Sequence, residues 1–102
     1  MCFVHVLLNS LDMKEKGYDI KLVIEGASAG LIPKLDSLDK PIPDLWEKVK
    51  SKNIVDAVCK ACAYKLGGLD SAKEQNLPLK GDMSGHPSMT SYIEEGYEII
   101  TF

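Results

Sequence analysis

Hydrophobic residues recur along the chain with two periods, one typical of helices and one typical of buried strands. The first helix is predicted from an i, i+3, i+4, i+7 repeat of apolar residues, namely Val4, Leu7, Leu8 and Leu11. Gly17 supplies a stop signal for this helix. The apolar run at 22–24, inside a predicted strand over 19–25, indicates a strand that is buried on both faces.

Helices and strands continue to alternate to the end of the chain. Turn residues and helical or strand-like spacing predict these elements in order: a small-residue turn at 26–30, a helix over 42–52, a strand over 54–58, helices over 61–66 and 69–75, a strand over 77–80, a helix beginning at Pro87, and a closing strand over 97–102. Such alternation is typical of βαβ units, in which the strands run parallel.

The predicted architecture is therefore a three-layer α/β/α fold with a mostly parallel sheet of four to five strands. Residues 1–102 are predicted to form one domain, since this length suits a single core. The pattern enters a hydrophobic helix at once, whereas parallel α/β units usually begin with a strand. We expect that a first strand is absent from this sequence and that an uncovered sheet edge favours association.

Composition narrows the possible environments and partners. The formal net charge is −3, and no basic run is present, which argues against nucleic acid or a membrane surface as a partner. No apolar stretch reaches membrane-spanning length, and no secretion signal is visible, so the cytoplasm is the expected compartment. In that compartment, three cysteines indicate free thiols, metal ligands or redox groups rather than a disulfide framework.

Two of the cysteines form a Cys-x-x-Cys pair, Cys59 and Cys62, where a predicted strand runs into a helix. A thiol at a helix N-terminus faces unpaired backbone N–H groups, which favour the thiolate, and Lys60 adds positive charge. The spacing and position therefore indicate sulfur chemistry for Cys59, with Cys62 as its assistant. Cys2 is expected to be a core or terminal residue.

Three predicted strands end in polar or reactive residues. Because ligands bind at the carboxyl ends of parallel strands, we expect Glu25, Cys59 and the segment 81–86 to share one rim of the sheet. His86 and Asp82 would then lie near the thiols and shuttle protons. Each also has a structural interpretation, since His86 could cap a helix and Asp82 could stabilise a turn. His5 is expected to be a solvated surface residue.

The opening helix with residues 11–17, the strand at 20–26, the segment Val58-Cys59-Lys60-Ala61-Cys62 and the segment Gly81-Asp82-Met83-Ser84-Gly85-His86-Pro87 together resemble the DsrE/DsrF-like family, in its small uncharacterised cytosolic branch. The resemblance covers nearly the whole chain. It implies an α/β/α fold, assembly into trimers or hexamers, and a persulfide carried on a cysteine that follows a strand. By that pattern Cys59 is the carrier.

Three functions stay open on the sequence alone. The first is persulfide transfer between a sulfur donor and an acceptor, with catalytic residues Cys59, Cys62, His86 and Asp82 and no cofactor. The second is a dithiol–disulfide redox protein that uses Cys59 and Cys62. The third is a non-catalytic module, which either binds metal through the cysteines and His86, with Asp82 as a possible fourth ligand, or contacts partners while its cysteines are incidental.

Overall fold

A computed structural model describes residues 3–102 and contains five α-helices, two 3₁₀ helices and three strands. In chain order these are α1 (Phe3–Glu15), β1 (Leu22–Ile24), 3₁₀ helices at Gly26–Gly30 and Ile32–Ser37, α2 (Ile42–Ser51), β2 (Val55–Cys59), α3 (Lys60–Leu66), α4 (Leu69–Glu74), β3 (Leu79–Lys80) and α5 (Met89–Glu94). The predicted α/β class is confirmed.

The strands form a parallel sheet in the order β1-β2-β3. The central strand β2 pairs Ile24 of β1 with Val58 and pairs Lys80 of β3 with Cys59. β2 lies between the other two strands, and its apolar residues Val55, Ala57 and Val58 are buried. Such burial is typical of a central strand that is covered on both faces. Parallel pairing places the carboxyl ends of all three strands at one rim, where the chain leaves β2 through Cys59 and leaves β3 through Gly81.

The core lies between the sheet and the helices and is centred on Trp46 of α2, which is fully buried. Its indole Nε1 donates a hydrogen bond to Gln75 Oε1 at 2.9 Å, so the polar end of the ring is satisfied inside the core. Phe3 of α1 meets the indole edge to face, with ring centroids 6.4 Å apart. Trp46 thereby connects α2 with α1 and with Gln75, the C-cap residue of α4. None of the helices within residues 3–102 combines the length and apolar character needed to cross a bilayer.

The structure corrects the predicted closing strand at 97–102, and with it the strand count. Three strands are present within the described residues instead of four to five, and 97–102 pairs with none of them. This segment and β1 both line a groove of about 410 Å³ instead of pairing with each other. Without a partner strand, its apolar side chains stay exposed, including Ile100 and Phe102. α5 also begins at Met89, with Ser88 as its N-cap, rather than at Pro87.

A polar network joins the middle of the sheet to α5. The Asp56 carboxylate of β2 accepts hydrogen bonds from the Tyr92 hydroxyl at 2.6 Å and from Lys80 Nζ at 2.9 Å. Burial alone would raise the pKa of Asp56, but these two donors, together with the charges of Lys80 and Lys21, hold that pKa below its usual value of 3.8. Burial and the neighbouring Asp56 carboxylate raise the pKa of Tyr92, so the phenol stays a donor.

This network predicts an acid-dependent loss of stability. A lowered folded-state pKa means that the ionised Asp56 stabilises the fold above pH 3.8, and that this stabilisation disappears as the pH falls below that value. Asp56→Asn should therefore cost about 1 to 3 kcal/mol at neutral pH, and the difference from wild type should shrink in acid. Urea unfolding followed by circular dichroism between pH 2 and pH 7 measures both effects. A difference that does not change with pH would contradict the assignment.

Candidate functional site

Cys59 occupies the junction between β2 and α3. It is the last strand residue and also the N-cap of the helix, with extended backbone angles of φ −61° and ψ 115°. Its Sγ accepts a hydrogen bond from the backbone N–H of Cys62 at 3.4 Å. α3 has seven residues and ends at Gly67, whose φ of 79° suits a left-handed cap. The local sequence therefore fixes Cys59 and places Cys62 one turn later.

The second half of the site is a tight turn after β3. Met83 and His86 exchange two backbone hydrogen bonds of 2.8 and 3.0 Å. Between them, Ser84 and Gly85 both have positive φ, 51° and 93°. Two consecutive positive φ values inside a two-residue loop are characteristic of a type I′ turn. The turn fixes the position from which His86 projects.

One hydrogen bond connects this turn to the cysteine helix. The backbone N–H of Ala61 donates to the carbonyl of Gly85 at 2.8 Å. The two segments also touch closely, because a Cβ added to Gly85 would lie 3.0 Å from the Cβ of Ala61. Gly85 thus serves both the turn conformation and the close approach. The strand-end rim predicted from the sequence is formed by direct packing.

This packing brings Cys59, Cys62 and His86 together. His86 Nδ1 lies 3.1 Å from the Sγ of Cys59 and 3.9 Å from the Sγ of Cys62. All three donor atoms lie within 4.8 Å of one another. Cys59 is fully buried, Cys62 is half-buried and His86 is exposed, so the cluster runs from the core to the surface. Both described cysteines are free thiols.

The pKa of Cys59 shifts in the direction opposite to that expected from the sequence. Burial raises the pKa of the Cys59 thiol, and the neighbouring Cys62 thiol and Glu25 carboxylate raise it further. The backbone N–H of Cys62 acts in the opposite direction but does not prevail. Loss of the proton therefore needs a partner base, and the imidazole of His86 is in hydrogen-bond contact with this sulfur.

The other predicted residues lie elsewhere. The structure does not bring Asp82 into the cluster; its Oδ1 instead accepts a hydrogen bond from the backbone N–H of Ser88 at 3.3 Å. Asp82 thus holds the start of α5. Glu25 does share the rim, because it directly follows β1, whose last residue pairs in parallel with Val58. His5 is exposed on α1, as expected. Cys2 lies outside the described residues.

Sequence reasoning placed the segment 81–86 at the rim but assigned no role to Ser84 or Gly85 within it, and it gave no role to Ala61. Their contribution is the turn and its contact with α3, not a reactive group. The Ser-Gly dipeptide between Met83 and His86 was the available signal, since such dipeptides mark turns. Nothing local in the sequence identifies Ala61 as the residue that the turn would contact, because α4 and β3 lie between the two segments along the chain.

Gly85→Ala should weaken the site. A side chain at a φ of 93° is strained, and the methyl group would press on Ala61, so we expect a loss of about 1 to 3 kcal/mol in stability. His86 should also move away from Cys59, which would change the rate of Cys59 alkylation. Gly17→Ala is the matched control, because Gly17 has a φ of 90° and a Cβ there meets nothing within 4 Å. An unchanged alkylation rate in Gly85→Ala would contradict the role of this contact.

Comparison with known proteins gives the family of the chain. The model of the DsrE/DsrF-like family matches residues 6–102. An uncharacterised protein of Methanocaldococcus jannaschii is 35% identical over 97 residues, which cover 95% of this chain and 77% of that protein. An uncharacterised protein of Archaeoglobus fulgidus is 43% identical over 37 residues, or 36% of this chain and all of that protein. No solved structure matches significantly. The resemblance noted in the sequence is thus confirmed, and the chain belongs to the DsrE/DsrF-like family.

Proposed function

We propose that the protein carries sulfane sulfur as a persulfide on Cys59 and passes it from a donor to an acceptor thiol. The observation that supports this proposal most directly is the 3.1 Å contact between Cys59 Sγ and His86 Nδ1. A thiol in contact with an imidazole can lose its proton as it attacks, even where burial disfavours the free thiolate. The Cys62 backbone N–H, 3.4 Å from the same sulfur, favours the negative charge.

The transfer consists of two displacements. His86 takes the thiol proton, and the Cys59 thiolate attacks the outer sulfur of a donor persulfide. The donor S–S bond breaks, the donor leaves as a thiolate that recovers the proton from His86, and Cys59 holds the persulfide. An acceptor thiolate then attacks the outer sulfur and takes it, and the Cys59 thiolate leaves. No net oxidation or reduction occurs.

Cys62 provides a second way to release the outer sulfur from the Cys59 persulfide. Its thiolate can attack Sγ of the Cys59 persulfide, form a Cys59–Cys62 disulfide and release hydrosulfide. The helix start holds the two cysteines one turn apart, and their sulfur atoms lie within 4.8 Å of each other. A dithiol–disulfide redox function is the second candidate, and the same proximity supports it. This redox function would be recognised by reversible formation of the Cys59–Cys62 disulfide without any sulfur adduct on the protein.

Burial limits which donors can reach the carrier. Cys59 is 0% exposed, so a donor can approach its sulfur only when the side chains that cover it open locally. A small persulfide, or a persulfide on a protruding loop, fits this requirement better than a flat protein surface. The proposal also requires a reducing compartment that keeps both thiols free, which agrees with the predicted cytoplasmic location.

Mass spectrometry of the intact protein tests the proposal. Reduced protein incubated with a small persulfide should gain one sulfur atom, and the adduct should be lost in Cys59→Ser. Cys62→Ser should keep the adduct longer, because the disulfide exit is closed. Cys2→Ser is the matched control and should behave as wild type. An adduct that persists in Cys59→Ser, or no adduct on folded wild-type protein, would overturn the proposal.

Association into a trimer or hexamer stays a prediction. It is favoured by the exposed apolar residues of 97–102, with Ile100 65% and Phe102 61% exposed in the single chain. We expect sedimentation velocity to show an oligomer, and we expect Ile100→Lys with Phe102→Lys to shift it toward the monomer. Leu66→Lys is a control on an exposed apolar residue of another element. A wild-type protein that sediments as a monomer at high concentration would contradict the prediction.

A further inference from the structure

The cluster at the end of β2 contains three donor atoms that suit a soft metal ion. Two thiolate sulfurs and one imidazole nitrogen are among the ligands that zinc prefers in proteins. Within residues 3–102, Cys59, Cys62 and His86 place these atoms within 4.8 Å of one another. They come from two segments that the hydrogen bond from Ala61 to Gly85 holds together, so the arrangement exists before any ion binds.

The two nitrogen–sulfur separations are close to those of a tetrahedral zinc site. Metal–sulfur and metal–nitrogen bonds of zinc imply that neighbouring ligand atoms are about 3.5 to 3.8 Å apart. The Nδ1 atom of His86 lies 3.1 Å from one sulfur and 3.9 Å from the other, on either side of this range. Shifts of a few tenths of an ångström by the exposed imidazole, together with a closer approach of the two sulfur atoms, which lie within 4.8 Å of each other, would bring the three atoms to bonding distance.

We propose that the protein binds one Zn²⁺ per chain through Cys59, Cys62 and His86, with the fourth coordination position open to solvent. Asp82 does not fill that position, because its carboxylate does not belong to the group of donor atoms that lie within 4.8 Å of one another. Each thiol gives up its proton to the buffer when its sulfur coordinates the ion. Bound zinc occupies both sulfurs and therefore shields them from alkylation and from sulfur donors.

The zinc site stands independently of the persulfide proposal, since it requires only the three donor atoms and no sulfur donor. A site with three protein ligands and an open position releases and exchanges its metal more readily than a closed four-ligand site. Zinc would therefore act as a reversible occupant of these thiols rather than as a permanent part of the fold. The stability of the fold should not require it.

The test is a titration of the reduced, metal-free protein with Co²⁺ and then with Zn²⁺. One equivalent of Co²⁺ should produce sulfur-to-metal charge-transfer absorption and the intense visible bands of tetrahedral cobalt, and Zn²⁺ should abolish both. In wild type, Zn²⁺ should slow alkylation of Cys59 and Cys62 by at least about tenfold. This second measurement depends on the thiols themselves and not on the spectrum of the ion.

Three variants decide between this site and adventitious binding. Cys59→Ser, Cys62→Ser and His86→Ala should each lower the apparent affinity for Zn²⁺ by at least about tenfold, whereas Cys2→Ser and His5→Ala should leave it unchanged. Circular dichroism establishes that each variant is folded, and protection of the remaining thiol reports the site even in a destabilised variant. Absence of the cobalt bands in wild type, or full affinity in folded Cys62→Ser and His86→Ala, would overturn the proposal.

Discussion

Replacement of His86 by Asn lowers the rate at which Cys59 reacts with a small alkylating reagent by about a hundredfold at neutral pH. Burial raises the pKa of the Cys59 thiol, so the reaction depends on the imidazole that lies 3.1 Å from the sulfur. Asn keeps a planar polar group at this position but cannot accept the proton. The measurement uses protein that also carries Cys2→Ser and Cys62→Ser, so that Cys59 is the sole thiol.

The pH dependence of the Cys59 alkylation rate shows whether His86 acts as a base or only fills space beside the sulfur. With His86 present, reactivity should begin to rise at a lower pH than in His86→Asn, because the imidazole takes up a proton that the buried thiol, with its raised pKa, otherwise loses only in alkaline solution. With Asn at this position, the rise should move to alkaline pH and the rates should converge there. His5→Ala is the control, since His5 is exposed on α1. Equal rates and profiles in wild type and His86→Asn would show that Cys59 does not use this imidazole.

The largest effect on stability is expected at Trp46. Trp46→Ala removes a fully buried indole, its edge-to-face contact with Phe3 and its hydrogen bond to Gln75. Such truncations cost about 3 to 5 kcal/mol, whereas the whole stability of a typical domain is about 5 to 15 kcal/mol. Circular dichroism in urea is the appropriate measurement, because the chain has a single tryptophan and the variant loses its fluorescence.

Two variants test the reason for this loss. Trp46→Phe should keep part of the ring packing but lose the hydrogen bond to Gln75, and its stability should lie between those of Trp46→Ala and wild type. Tyr64→Ala removes another aromatic residue that is 75% exposed and should change stability by less than about 0.5 kcal/mol. A loss in Trp46→Ala as small as that in Tyr64→Ala would contradict the central position of Trp46 in the core.

The sequence predicted those parts of the site that follow from parallel topology. Cys59 closes an apolar strand, and the segment beginning at Gly81 follows the next one, so parallel pairing alone brings both to one rim. The α/β class and the helix that carries Trp46 were also predictable. The spacing of hydrophobic residues along the chain distinguishes helices from strands and indicates which face of each element is buried. These features need the order of elements and no detailed knowledge of side-chain contacts.

The remaining features depend on contacts that a linear pattern does not contain. The segment 97–102 has the composition of a strand, but a strand also needs a partner, and within the described chain none is placed beside it. Asp82 follows β3 at the same rim of the sheet as the thiols, yet its carboxylate accepts a hydrogen bond from Ser88. The pKa of Cys59 is set by burial, by Cys62 and by Glu25, which lies 34 residues earlier in the sequence.

The hydrogen bond from Ala61 to Gly85 gives the site a spectroscopic reporter. The Ala61 amide proton belongs to the first turn of the cysteine helix, while its acceptor belongs to the turn that carries His86. Its exchange with solvent deuterium should therefore be slow when the turn is seated and fast when the turn lifts away. The exchange rate of this single amide proton therefore measures how often the site opens. The measurement needs no substrate and no chemical label on either cysteine.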